Sequence, residues 1–170
     1  REGAESGHTT SVVRYAPGCS FPTHVHSGGE EFLVLDGVFS DESGDFPKGT
    51  YVRNPIGSSH APRSDPGCTI FVKLCQMNRS ETEQTVRSVN AGAKEQLLYE
   101  DAHERVRACS FEPGEQLELE GAELFVISGE VVSDGERFPS ESWIRIPRGT
   151  SEHLVFKGPT QLWIKDRHLP

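Results

Sequence analysis

The sequence predicts an all-β fold assembled from two tandem copies of one small unit. Three observations carry that prediction. Across 170 residues, 11 prolines and 17 glycines punctuate short runs rich in β-branched and aromatic residues, a pattern of strands and turns. Four blocks of the first half recur, in the same order, in the second half. The strongest of these blocks is apolar on both of its faces, as a strand covered from two sides must be.

Residues 8–16 alternate loosely and run into Pro17-Gly18, a strand ending in a turn. Glu31 to Leu35 is the next apolar strand. Phe32 and Val34 share one side and Leu33 and Leu35 the other, so a second layer is needed. The expected source is the other half of the chain or a second copy in a homodimer. Asp36-Gly37 and Ser43-Gly44-Asp45 mark turns. Tyr51 to Asn54 is a strand ended by Pro55, and Cys68 to Leu74 is a buried strand after Pro66-Gly67. Gln76 to Gly92 is polar and reads as a crossing segment, with some strand near Glu83 to Val89. Residues 94–104 are charged around a short apolar patch, Leu97-Leu98-Tyr99.

The pattern then returns. Phe111-Glu112-Pro113-Gly114 repeats Tyr15-Ala16-Pro17-Gly18, and the run Glu123 to Gly129 repeats Glu31 to Gly37. Trp143 to Gly149 repeats Tyr51 to Gly57, and Gln161 to Lys165 repeats Thr69 to Lys73. An internal duplication follows. The expected division is a domain over residues 1–78, a connecting segment over 79–100 and a second domain over 101–170.

The first copy carries chemistry. His24 and His26 stand one residue apart, so in a strand both imidazoles face the same way. Glu30 keeps that parity unless Gly28 and Gly29 hold a bulge that resets it. His60 arrives after a Pro-x-Gly turn. Three imidazoles and one carboxylate suit a divalent transition metal, with Fe, Ni or Mn among the ions they can hold. Glu31 competes with Glu30 for the carboxylate role, but parity favours Glu30. In the second copy the His-x-His position has become Leu119-Glu120-Gly121-Ala122, and only His153 remains near the place of His60. That copy is expected to hold no metal and to serve packing. Arg53 and Arg145 occupy equivalent strand positions, and ion pairing at an interface between the halves is expected of them.

These residues resemble a known family. Gly18, five residues, His24-Val25-His26, three residues, Glu30, six residues and Gly37 fit the first cupin motif without a gap. Gly49, five residues, Pro55-Ile56-Gly57, two residues and His60 fit the second, although Ser64 stands near where many cupins carry Asn. Arg14 to Gly18, Ser27 to Glu31, Asp41 to Asp45 and Gly57 to Pro62 are similar to the cupin of ChrR-type proteins, zinc-binding anti-sigma factors and their relatives. The resemblance implies jelly-roll barrels, here a tandem bicupin with a degenerate second copy, and zinc as the leading metal. In such proteins a helical segment ahead of the cupin binds the sigma factor. A sigma-factor-type partner is therefore expected only if such a segment precedes residue 1. The metal ligands His24, His26, Glu30 and His60 are what carries over.

A net charge of −9 argues against nucleic acid or an anionic membrane as a direct partner. No apolar run approaches the ~20 residues of a membrane span. The chain opens at Arg1 without a signal-peptide pattern, which predicts a cytoplasmic protein. Cys19, Cys68, Cys75 and Cys109 show no Cys-x-x-Cys spacing and read as free thiols. Two functions fit: a ligand- or redox-responsive binding module, favoured by the ChrR resemblance, and a metal-dependent dioxygenase or related enzyme acting on a small molecule. Fold alone selects neither.

Overall fold

A computed structural model describes residues 7–169, and it is all-β: the described residues contain no helix, and hence none long and apolar enough to cross a membrane. The chain divides into two compact units, residues 1–88 and 89–170.

In the first unit, Pro17-Gly18, Pro55-Ile56-Gly57 and Pro66-Gly67 break the chain into short strands. They are β1 (Thr9–Tyr15), β2 (Cys19–Ser20), β3 (His24–Val25), β4 (Glu30–Asp41) and β5 (Gly44–Pro47). After these come β6 (Thr50–Asn54), β7 (Ser59–His60), β8 (Arg63–Ser64), β9 (Cys68–Leu74) and β10 (Thr85–Ser88). The main sheet runs β1-β9-β4-β6-β10, antiparallel throughout, while β3 and β7 form a separate short pair. Phe32, Val34, Phe39, Phe46, Val52, Ile70 and Val72 fill the interior. Burying each such side chain contributes roughly 1.5–3 kcal/mol. Phe39 is the hub, with ring centroids 4.6 Å from Phe32 and 5.8 Å from His60, so the apolar core forms a floor beneath the histidines.

The second unit contains β11 (Glu95–Glu100), β12 (Arg105–Phe111), β13 (Gln116–Glu120), β14 (Ala122–Ser128) and β15 (Glu130–Ser133). It continues through β16 (Glu136–Pro139), β17 (Trp143–Arg145), β18 (Ser151–Phe156) and β19 (Thr160–Asp166). Its larger sheet runs β11-β12-β19-β14-β17, so β12, β19, β14 and β17 stand in the order of β1, β9, β4 and β6. The likeness extends to irregularities. The register slips between Val34 and Asp36 in one unit and between Val126 and Ser128 in the other, a bulge at the matching residues Leu35 and Ile127. Just beyond each bulge stands a glycine at positive φ. A Cβ on Gly37 would lie 2.0 Å from the Gly67 carbonyl oxygen, and one on Gly129 would lie 2.4 Å from that of Pro159. Only glycine fits there.

The interiors differ. Cys109, Phe111, Leu119, Leu124, Val126, Leu154, Phe156 and Leu162 belong to a continuous apolar core in the second unit, where Phe111 and Phe156 stack with centroids 3.9 Å apart. Leu119 points into that core, and His153 is exposed beside the buried Leu154.

Residues 79–100 are shared between the units. β10 extends the first unit by pairing with β6, and β11 extends the second by pairing with β12. Arg53 also differs from expectation. Fully buried, it donates to both oxygens of Glu81 at 2.9 and 2.7 Å and pairs with Glu31 at 3.0 Å, all within the first unit. These pairs belong to the packing of Arg53's own unit. Its counterpart Arg145 reaches Glu123 of its own unit at 3.7 Å. All four cysteines are free.

Candidate metal centre

The site grows out of two short strands. β3 and β7 pair with His24 opposite His60, and the ladder continues as His26 donates its amide to Ser58 O and Gly57 donates to His26 O, both at 2.9 Å. Pro55 ends β6, and Gly57 at φ +85 turns the chain back so that His60 meets His24. The three imidazoles stand edge to face, with centroids 4.9, 5.0 and 4.7 Å apart, and offer one ligand atom each within 4.8 Å of one another.

Glu30 reaches the cluster by a route that strand parity does not describe. β3 stops at Val25 and a turn precedes β4, with Gly29 at φ +77. Cys75 and Met77 donate their amides to Gly29 O and Gly28 O at 3.0 and 3.2 Å, holding the turn flat against residues 75–77. A Cβ on Gly28 would lie 2.4 Å from the Cys75 Cα, and one on Gly29 would lie 2.4 Å from the Met77 sulfur. The glycine pair therefore permits a close approach that aims Glu30 inward. Its Oε2 lies 3.4 Å from His26 Nε2 and 3.6 Å from His60 Nε2, and those two nitrogens are 3.0 Å apart. Donors around one ion at ~2.1 Å stand roughly 3–3.5 Å from one another. The residues present fit a divalent metal on spacing and on donor type. Glu31 faces away from the cluster and is bonded by Tyr51 Oη and paired with Arg53.

The surrounding groups orient this set. His60 Nδ1 lies 3.0 Å from Asp41 Oδ2, and His24 Nδ1 lies 3.0 Å from the Pro22 carbonyl oxygen. Each oxygen accepts the Nδ1 proton and leaves Nε2 as the ligating atom. Asn54 donates to Glu30 Oε2 at 2.9 Å, and Gln84 donates in turn to Asn54 Oδ1 at 2.7 Å. Sequence reasoning missed Asp41, Asn54 and Gln84 as supports. Asp41 belonged to the Asp41 to Asp45 run, which turn chemistry explains by itself: Asp41 Oδ1 accepts from the Ser43 amide at 2.7 Å.

The electrostatics follow from this geometry. Burial, then the neighbouring His60 and His24, lower the His26 pKa to about 3. Burial opposes charge on His60 as well, but the Asp41 hydrogen bond and the nearby carboxylates outweigh it and raise its pKa. Asp41 is also buried, yet its bonds to His60 and the Ser43 amide hold it below its ordinary range. Burial, and then the charge of Glu30, keep the Tyr15 phenol protonated. Beside the histidines opens a cavity of about 220 Å³, lined by His26, Asp41, Ser43, Asn54, Pro55, Ser58, Ser59, His60 and Gln84.

Barrel topology and a histidine cluster at the mouth of the first unit define a cupin, as the motif spacing implied. Residues 1–78 match the ChrR Cupin-like domain family, which makes the first unit a ChrR-like cupin. Bacterial pirin YhhW from Escherichia coli, solved with nickel(II), superposes with a TM-score of 0.75 at 16% identity over 94% of this chain and 80% of its own. A cupin 2 conserved barrel domain protein from Leptotrichia buccalis gives 0.65 at 12% identity over 95% and 84%. A variant of salicylate 1,2-dioxygenase from Pseudoaminobacter salicylatoxidans gives 0.67 at 11% identity over 94% and 71%. At such identities these likenesses show the fold alone. No curated protein matches the chain.

Proposed function

We propose that this protein is a metal-dependent binding module in which His24, His26, Glu30 and His60 hold one divalent transition metal and a small molecule occupies the cavity beside it. The observation that carries the reading is the convergence of His26 Nε2, His60 Nε2 and Glu30 Oε2 within 3.0–3.6 Å, with His24 closing the group. Zinc is the leading candidate, because the first unit is ChrR-like; iron, nickel and manganese suit the same nitrogen and oxygen donors. When bound, the metal supplies a Lewis-acidic centre. The chain's own groups keep His24 and His60 in one tautomer, keep Glu30 aimed and line the cavity with hydrogen-bonding atoms. A regulatory role related to the zinc-binding anti-sigma factors follows on this reading, with ligand arrival as the signal. A cytoplasmic location is proposed with it.

A second reading, a metal-dependent dioxygenase or related enzyme, is favoured by the cavity that opens directly beside His26 and His60. Elemental analysis with X-ray absorption separates the two. Zinc with four protein ligands and no solvent position supports the binding module. Iron or nickel with open positions, together with oxygen uptake on substrate addition, supports the enzyme.

A further inference from the structure

The cavity beside the histidines has a chemistry of its own. Its volume of about 220 Å³ lies below the roughly 300–1,000 Å³ common for drug-sized ligands. Its lining presents the side chains of Ser43, Ser58, Ser59 and Gln84 and the Asp41 carboxylate, and among the described residues no lysine or arginine lines it. Arg63 comes near but donates to the Asp41 main-chain oxygen at 3.2 Å and is absent from the wall. Ser58 Oγ is buried with no hydrogen-bond partner among the described residues. The wall residues Ser43 and Ser59, by contrast, are exposed and offer hydroxyls that a ligand can pair with. Among the described residues Pro55 is the only apolar group in the wall and the rings of His26 and His60 the only aromatic ones, so an aromatic ligand finds little to stack on.

Charge narrows the choice. Glu30 and Asp41 are both buried, and together they balance a divalent ion. An anionic ligand would then add charge that no side chain of the wall offsets, whereas a neutral one would not. We infer that the cavity takes a small, uncharged, hydroxyl-rich molecule, a short polyol or sugar, and discriminates against carboxylates of the same size. This deepens the metal-binding reading and rests on it for the charge balance.

The test titrates the metal-loaded full chain with xylitol and with xylonate, matched in size and differing in charge, and measures metal content on the same sample. Xylitol is expected to bind about tenfold more tightly than xylonate at equal ionic strength. Ser59→Ala should weaken xylitol binding, and Ser59→Lys, at the same exposed position of the wall, should improve xylonate binding about tenfold. Xylonate binding as tight as xylitol, or saturable binding of neither, would overturn the inference. Missing metal contradicts the metal-binding proposal instead, so the two failures are distinguishable.

Discussion

Asp41 does for His60 what the Pro22 carbonyl does for His24: each accepts the Nδ1 proton and turns Nε2 toward a shared point. The carboxylate adds charge to that role, and it is itself held by the Ser43 amide. Asp41→Asn should therefore keep the fold and lower metal affinity about 10- to 100-fold, as loss of an outer orienting group does. Competition against a chromophoric chelator measures it, and unchanged affinity would show that His60 is oriented by something else. The four proposed ligands could be picked out of the sequence because their spacing is local or framed by glycine and proline. Asp41 was not, since it comes from the β4–β5 hairpin and meets His60 only through the fold. Asn54 and Gln84 were hidden for the same reason.

At the scale of elements, the turn between His26 and Glu30 shows how packing replaces strand parity. Gly29→Ala would place a Cβ at φ +77 and against Met77, costing roughly 1–2 kcal/mol in backbone conformation before any clash. Denaturant unfolding should show the loss, and adding Met77→Ala should recover only part of it, since the Cβ of residue 77, 2.7 Å away, remains. Full recovery would mean the backbone is not strained there. Glu81 locks a different element. It pairs with the fully buried Arg53 on β6, so Glu81→Ala should cost about 3–5 kcal/mol, and a loss below 1 kcal/mol would contradict a buried pair. Neither β10 nor β11 was fully legible. β11 reads poorly because Leu97, Leu98 and Tyr99 are apolar in succession, so the sequence shows no alternation, although only Leu98 among them is buried. Glu81 sits in a polar stretch whose composition resembles a linker, and only its distant partner shows that it is buried.

For the whole molecule, the repeated sheet order, bulge and glycine show one architecture used twice with different interiors. The four recurring sequence blocks made this legible, because strand identity survives in residues that face the core. In the second unit Leu119, which the sequence repeat sets near the position of His-x-His, stands in the core, and His153 is exposed. His153→Ala should leave metal content unchanged, and loss of half the metal would place a second ion in residues 89–170. Metal stoichiometry tests the central claim most directly, measured by elemental analysis on the purified chain and on His24→Ala and His60→Ala. One divalent transition-metal ion per chain, lost from stoichiometric occupancy in both variants while the fold persists, is the predicted result. Full occupancy in either variant, or two ions in the parent chain, would contradict it.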